Sequence, residues 1–322
     1  ATRAFDLLSE SEQASVLKYH HIKDAKMILA SYLLKYLVIN KYLGIPWSKI
    51  TISRKSHGKP CFLNWSKDSY IDFNVSHQAG VVVLIAVICS ESEICVGTDI
   101  VCTAERKLAD YAFIEDEGFF NWVHIYEDVF ADSEICYLRQ GSLRLEDLKI
   151  GIKNSELTNQ AKDALTRCER RNEGIHLEIL VNQEQIAIEI DSNVVIDGKL
   201  RQFYAMWCLK EAYAKMTGEA LLAPWLKDLE ILLARAPKTK EQAMDLEEGE
   251  VIEEVKTIFS NREHTSNCKV KDATVQLTAL GPEYMVAAVI SSSDPSGTSL
   301  KMGKWQKLDL IKDILEIAEL NL

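Results

Sequence analysis

The sequence predicts an α/β (α+β) fold, a pseudo-dimer of two similar halves in which a helix packs on a small, mostly antiparallel sheet. Three observations predict it. The order helix, strand, loop, strand, strand occurs twice along the chain. Pro46-Trp47-Ser48-Lys49, between helix and first strand, is echoed by Pro224-Trp225-Leu226-Lys227. Of the 322 residues 47% are apolar, enough for one large core or two modest ones. Two halves packed face to face leave a cleft, where ligands usually sit.

The first helix is written from His21 to Leu43, where Ile22, Ala25, Ile28, Leu29, Tyr32, Leu33, Tyr36 and Leu37 recur at helical spacing until Gly44-Ile45-Pro46 stops it. A short strand follows at Lys49–Ser53, then a polar loop around Gly58-Lys59-Pro60. Gly80–Cys89 is apolar, rich in Val and Ile, and about half the length of a membrane helix, so it reads as a buried strand; Ile94–Val101 reads as another. The second helix runs from Arg201 to Met216 and is closed by Gly218. After it, Leu229–Ala234 reads as a strand and Ala273–Leu280 with Tyr284–Ser291 as a hairpin turned at Gly281-Pro282. This places an N-terminal half at 1–139, an inserted helical segment or excursion at 140–198, and a C-terminal half at 199–322. The acidic block from Asp245 to Glu254 reads as a solvated loop, and Leu308–Ala318 as an amphipathic helix docked on the body or a partner.

A net charge of −11 argues against a nucleic-acid or membrane-surface binder, so any bound anion must be met by local basic clusters. No transmembrane stretch and no signal or mitochondrial presequence pattern is present, and a cytoplasmic address is expected. The eight cysteines lack Cys-x-x-Cys spacing and read as ordinary buried thiols.

Asp99 stands in Val96-Gly97-Thr98-Asp99-Ile100-Val101, where an ionised carboxylate is costly unless a cation compensates. Gly97, on the same strand face, would leave room for a ligand. The alternative is an Asp that accepts backbone hydrogen bonds at a strand end. Glu211 and Lys215 lie one helical turn apart, in line with Phe203 and Trp207, and form either an inward ion pair or a common solvated salt bridge. Ser76-His77, ahead of the apolar strand, forms a polar turn that can receive an anion. Arg54-Lys55-Ser56-His57-Gly58-Lys59-Pro60 gathers cations around a flexible Gly and a rigid Pro, suiting a phosphate or purine as well as an ordinary exposed turn.

In combination and order, His57-Gly58-Lys59-Pro60, Phe73-Asn74-Val75-Ser76-His77, Val96-Gly97-Thr98-Asp99 and Trp207-Cys208-Leu209-Lys210-Glu211-Ala212-Tyr213-Ala214-Lys215 resemble the 4′-phosphopantetheinyl transferases, in particular the large monomeric kind. Phe130-Ala131-Asp132-Ser133-Glu134 resembles the segment that leads toward the last motif. The resemblance covers most of 20–137 and 200–235. It implies transfer of the phosphopantetheine of coenzyme A to a serine of apo acyl or peptidyl carrier proteins. Such transfer serves fatty acid, polyketide, nonribosomal peptide and lysine biosynthesis.

By position, the resemblance puts Lys23, Arg54, His57, Gly58, Lys59, Pro60, Ser76 and His77 around the nucleotide, with Lys26 on the same rim. It puts Lys210 and Lys215 on the diphosphate, and Asp99 and Glu211 on Mg2+. Glu211 is the expected base, with Lys215 and Asp99 completing the catalytic set. Many members carry a second acid where this chain has Val101. Water, the Ile100 carbonyl or the Gln78 amide would then complete the metal's octahedron. The rival readings are a coenzyme A-binding protein without transfer activity and a different metal-dependent phosphotransferase. The carrier is expected to dock near Phe130–Arg139.

Overall fold

In the computed structural model, the structure describes residues 2–321 apart from 56, 64–69, 90–93, 142, 149–151, 153, 220, 222, 234, 241–244, 254, 260–272 and 293–300. Short helices α1 (Thr2–Phe5) and α2 (Glu10–Leu17) lead into the long α3 (Ile22–Leu43). Gly44 ends α3 with φ +66°, a left-handed conformation that suits glycine. A 3₁₀ turn at Trp47–Lys49 precedes β1 (Ile52–Arg54) and β2 (Pro60–Phe62), and then come the long strands β3 (Tyr70–Gln78), β4 (Val81–Cys89) and β5 (Ile94–Cys102). Helices α4 (Lys107–Glu117), α5 (Phe119–His124) and α6 (Asp132–Gln140) follow.

Next are β6 (Ser155–Leu157), α7 (Asn159–Arg167), β7 (Gly174–Val181) and β8 (Glu184–Asp191), which pass directly into α8 (Ser192–Thr217). The chain continues through β9 (Leu229–Leu232), β10 (Glu248–Ile252), β11 (Lys256–Phe259), β12 (Thr274–Leu280) and β13 (Tyr284–Ser292). It closes with a π-helical turn at Leu310–Leu315 and α9 (Glu316–Leu320).

The mixed helices and small antiparallel sheets agree with the predicted fold class. The two halves share a seam: β5, from the first half, is the outer strand of the sheet β10-β12-β13-β5 and pairs with β13 from Ile94↔Ser292 to Cys102↔Tyr284. One large core runs from the helices after β5 through α8 to β13, and a second lies between α3, β2 and β3.

Several expectations are corrected. Residues 140–198 hold an antiparallel sheet, β6-β7-β8, with α7, and their Leu145, Leu148, Leu165, Leu177 and Ile179 belong to the same core as Phe203 and Leu209. This region is therefore no excursion but part of one core with α5, α6 and α8, and α8 starts at Ser192 behind an Asp191 cap. The acidic block contains a strand: β10 pairs with β12, and Glu250 is held by Arg235. Glu254 lies outside the described residues. β4 is half-buried over most of its length, and among the described residues its only strand partner is β3. The C-terminal turn docks on the first half, where Ile314, Leu315 and Ala318 enter the α3 core and Trp47 N–H donates to the Asn321 carbonyl at 3.0 Å. Among the described residues no helix is long and apolar enough to cross a membrane.

Candidate active site

Residues 70–78 form a strand, not the polar turn expected at Ser76-His77. Asp72, Asn74, Ser76 and Gln78 alternate with Ile71, Phe73, Val75 and His77, so all four polar side chains share one face. That face meets β5, whose backbone is paired with β13 on its other edge. Asp72 Oδ2 accepts from Val96 N at 2.9 Å, Asn74 Oδ1 from Thr98 N at 3.0 Å and Gln78 Oε1 from Cys102 N at 2.8 Å. Ser76 Oγ donates to Asp99 Oδ1 at 2.8 Å. A row of side chains thus does the work of a neighbouring strand's backbone and fixes β5 in register, satisfying buried N–H groups that would otherwise be costly.

α8 lies across the face of the same strand that carries Gly97 and Asp99. A Cβ on Gly97 would fall 2.1 Å from the Ala212 carbonyl and 2.5 Å from Met216 N, so the glycine admits the helix backbone, not a ligand as its place beside Asp99 suggested. The close approach brings one face of α8 onto Asp99. Lys215 Nζ donates to Asp99 Oδ1 at 2.5 Å and to Ser76 Oγ at 2.8 Å, and Cys208 Sγ donates to the Asp99 carbonyl at 3.3 Å.

Glu211, one turn before Lys215, is partly buried. Burial first, and the charge of Asp99 second, push its carboxyl up to about 7 against the opposing pull of Lys215. His77 is exposed on β3, yet partial shielding of its ring from water and the nearby Lys215 lower its pKa, and Asp24 of α3 opposes them. The start of α3 rests against the β3–β4 turn, where Gly80 N contacts Met27 Sδ at 3.3 Å, and Lys23 and Lys26 are exposed there.

The basic loop between β1 and β2 lies over the end of α8: a Cβ on Gly218 would sit 3.4 Å from Lys59 Cβ and 3.7 Å from His57 Cβ. Arg54 and His57 are exposed, Gly58 and Pro60 partly so, and Arg54 Nη1 donates to the Gly58 carbonyl at 2.8 Å.

Two lysines assigned to the ligand, Lys59 to the nucleotide and Lys210 to the diphosphate, have ammonium groups that are not available to it. Lys210 is fully enclosed, with Glu134 at 2.8 Å, the Leu226 carbonyl at 2.9 Å and the Leu229 carbonyl as its partners. Five residues of α-helix separate it from Lys215 by about 140° around the axis, so the two cannot face one site. Helical periodicity alone carried that signal. Lys59 Nζ is likewise enclosed and bound to Asp72 and to two backbone carbonyls. Gln78 is no free metal ligand either, since its amide oxygen is engaged by Cys102 N–H. Nor does all of Phe130–Arg139 offer a docking face: Phe130 is wholly buried. The outward side of α6 lines a shallow pocket of about 260 Å³ with Phe120, Ile135, Cys136 and Arg139.

Among the described residues no cluster of three or more His, Cys, Asp or Glu side chains forms a metal cage. Two coupled carboxylates are nevertheless a fitting donor set for Mg2+, which typically takes one or two of them and fills its octahedron with water and substrate phosphate. The elevated Glu211 carboxyl is what a cation between the two acids would relieve.

The α/β fold thus brings a carboxylate, an ammonium and a basic loop together where β3, β5 and α8 meet. Two family models match, described as the N-terminal part of 4′-phosphopantetheinyl transferase over residues 1–89 and as the 4′-phosphopantetheinyl transferase superfamily over 160–271. The second begins inside the region first taken as an insertion. The chain is 34% identical to 4′-phosphopantetheinyl transferase 1 of Fusarium mangiferae over 99% of its length and 87% of that protein. It is 37% identical to the 4′-phosphopantetheinyl transferase of Aureobasidium melanogenum over 99% of its length and 91% of that protein. A shorter match, 35% over 30% of this chain and 31% of the relative, is to L-aminoadipate-semialdehyde dehydrogenase-phosphopantetheinyl transferase of Mus musculus. The chain belongs to the 4′-phosphopantetheinyl transferase family.

Proposed function

We propose that this protein transfers the 4′-phosphopantetheine group of coenzyme A to a serine hydroxyl of an apo acyl or peptidyl carrier protein and releases 3′,5′-ADP. The observation that carries the reading is the Lys215–Asp99 ion pair between α8 and β5, with Glu211 one turn before Lys215 on the same helix, in a chain of this family. The serine oxygen bonds to the β-phosphorus of coenzyme A, the bridging P–O bond breaks toward the nucleotide, and the serine proton must leave.

Glu211 takes that proton, directly or through a water. Lys215, already placed by Asp99 and Ser76, meets the charge that develops on the diphosphate oxygens. Asp99 and Glu211 would hold Mg2+, which when bound would supply Lewis-acid neutralisation of diphosphate charge. Lys23, Lys26, Arg54, His57 and His77 form the basic rim that receives the nucleotide, with Gly58 and Pro60 shaping its loop.

The carrier docks on the exposed side of α6 around Ile135, Cys136 and Arg139, and Arg139→Glu is expected to raise the carrier KM; an unchanged KM removes that face. Acceptors include carriers of fatty acid, polyketide, nonribosomal peptide and lysine biosynthesis, and a panel of apo carriers ranks them. The proposal includes action as a monomer in the cytoplasm, tested by sedimentation and by imaging of a tagged chain.

The deciding experiment incubates the protein with coenzyme A, Mg2+ and an apo carrier and weighs the carrier. A mass gain equal to one phosphopantetheine, with 3′,5′-ADP as coproduct, is expected. Binding of coenzyme A with no mass gain leaves only a coenzyme A-binding protein.

A further inference from the structure

Lys59 belongs to the basic loop but does not face the basic rim. Its side chain is 4% exposed, and an ammonium has three N–H donors. Each meets an acceptor on a different element: Asp72 Oδ2 of β3 at 2.6 Å, the Val96 carbonyl of β5 at 2.8 Å and the Met216 carbonyl in the last turn of α8 at 3.3 Å. The same Asp72 oxygen accepts Val96 N–H, so Val96 is gripped at both its backbone groups. All three donors are used, and none remains for a phosphate.

The two carbonyls sit on the two elements that carry the acids. Val96 lies three residues before Asp99, with Thr98 N–H between them pinned by Asn74. Met216 lies one residue beyond Lys215 and five beyond Glu211. Its carbonyl is among the last four of α8, which lack intrahelical donors, and a cation there also complements the helix dipole. Gly97, between Val96 and Thr98, lets the helix backbone approach; Lys59 then ties the helix end to the strand at that point.

We propose that Lys59 is a positioning residue: its ammonium sets the separation of Asp99 and Glu211, and so how tightly the site holds a divalent cation, and does not itself bind coenzyme A. The role rests on the transfer reaction proposed above.

The test uses the full chain with Lys59→Met, which keeps the apolar stem and removes the donors. Mn2+ affinity is read by electron paramagnetic resonance in the absence of turnover, and the half-saturating Mg2+ concentration by carrier mass gain. Dissociation constants are also compared for coenzyme A and 3′-dephospho-coenzyme A, with Arg54→Ala on the basic rim as a reference. Both metal readouts are expected to weaken by about 10-fold, the scale of lost supporting contacts around a metal ligand. The preference for coenzyme A over its dephospho form should stay at the wild-type ratio, whereas Arg54→Ala reduces it. Loss of that preference in Lys59→Met, or unchanged Mn2+ affinity, overturns the proposal.

Should Lys59→Met fail to fold, Asp72→Asn keeps an acceptor for Val96 N–H but weakens the hold on the ammonium. It is expected to weaken Mn2+ binding several-fold in the same direction, and an unchanged value overturns the proposal there as well. If the wild-type chain gives no carrier mass gain, the transfer reading fails, while the Mn2+ measurements still decide the role of Lys59.

Discussion

Replacing Glu211 by Gln is expected to stabilise the metal-free protein above neutral pH. The Glu211 carboxyl is moved from 4.5 to about 7, first by burial and then by Asp99. Between those values the unfolded chain has already released the proton that the folded chain still holds. Stability therefore falls as pH rises through that window, and the full cost is present above about pH 7. A shift of roughly 2.5 units at about 1.4 kcal/mol each gives about 3 kcal/mol as an upper limit. Water still reaches this partly buried group, so the measured difference should lie at about 1–3 kcal/mol.

Gln has no charge to bury, so in EDTA at pH 8 the variant should melt higher, by about 2 °C per kcal/mol in a chain of this size. Urea or thermal unfolding from pH 4.5 to 8 reads the difference, which should vanish toward the acid end. Adding Mg2+ should raise the wild-type midpoint through mass action and leave the Gln midpoint nearly unmoved. Parallel curves for the two proteins, or a less stable Gln variant at pH 8, would refute the reasoning.

The same titration predicts that Mn2+ affinity, followed by electron paramagnetic resonance, weakens about 10-fold per unit below pH 7 and levels off above it, because the ligand must lose its proton first; a flat profile counts against Glu211 as a ligand. Gly97→Ala drives a methyl into the backbone of α8, which cannot swing aside, and should lower stability by about 1–3 kcal/mol or prevent folding, as thermal melting will show. Lys210→Met leaves Glu134 buried without its cation and should cost about 3–5 kcal/mol of stability. Coenzyme A affinity of the folded fraction should be unchanged, whereas a diphosphate ligand would lose it.

Much of the architecture was legible from local pattern. The apolar spacing of α3 and the Gly44 and Gly218 stops report local physics, and the structure places them within a residue or two of the sequence reading. β3 was missed although its alternation was present, because a row of Asp, Asn, Ser and Gln reads as a polar turn unless something buries it. The backbone of β5 does so, and no local signal names it. The strand inside the acidic block was missed for a related reason: Glu248 and Glu250 look solvated until β12 and Arg235 supply partners.

The sequence by itself determined the mixed α/β class, the family, and the candidacy of Asp99, Glu211 and Lys215, since a buried acid in an apolar strand and an acid–base pair one helical turn apart are visible in one dimension. Only the tertiary structure decided which lysines look into the seam and which are bolts within it. Lys59 and Lys210 carry the same charge as Lys215, but their partners come from strands and loops distant in the chain. An ammonium's role follows from which acceptors surround it, and that is fixed by packing.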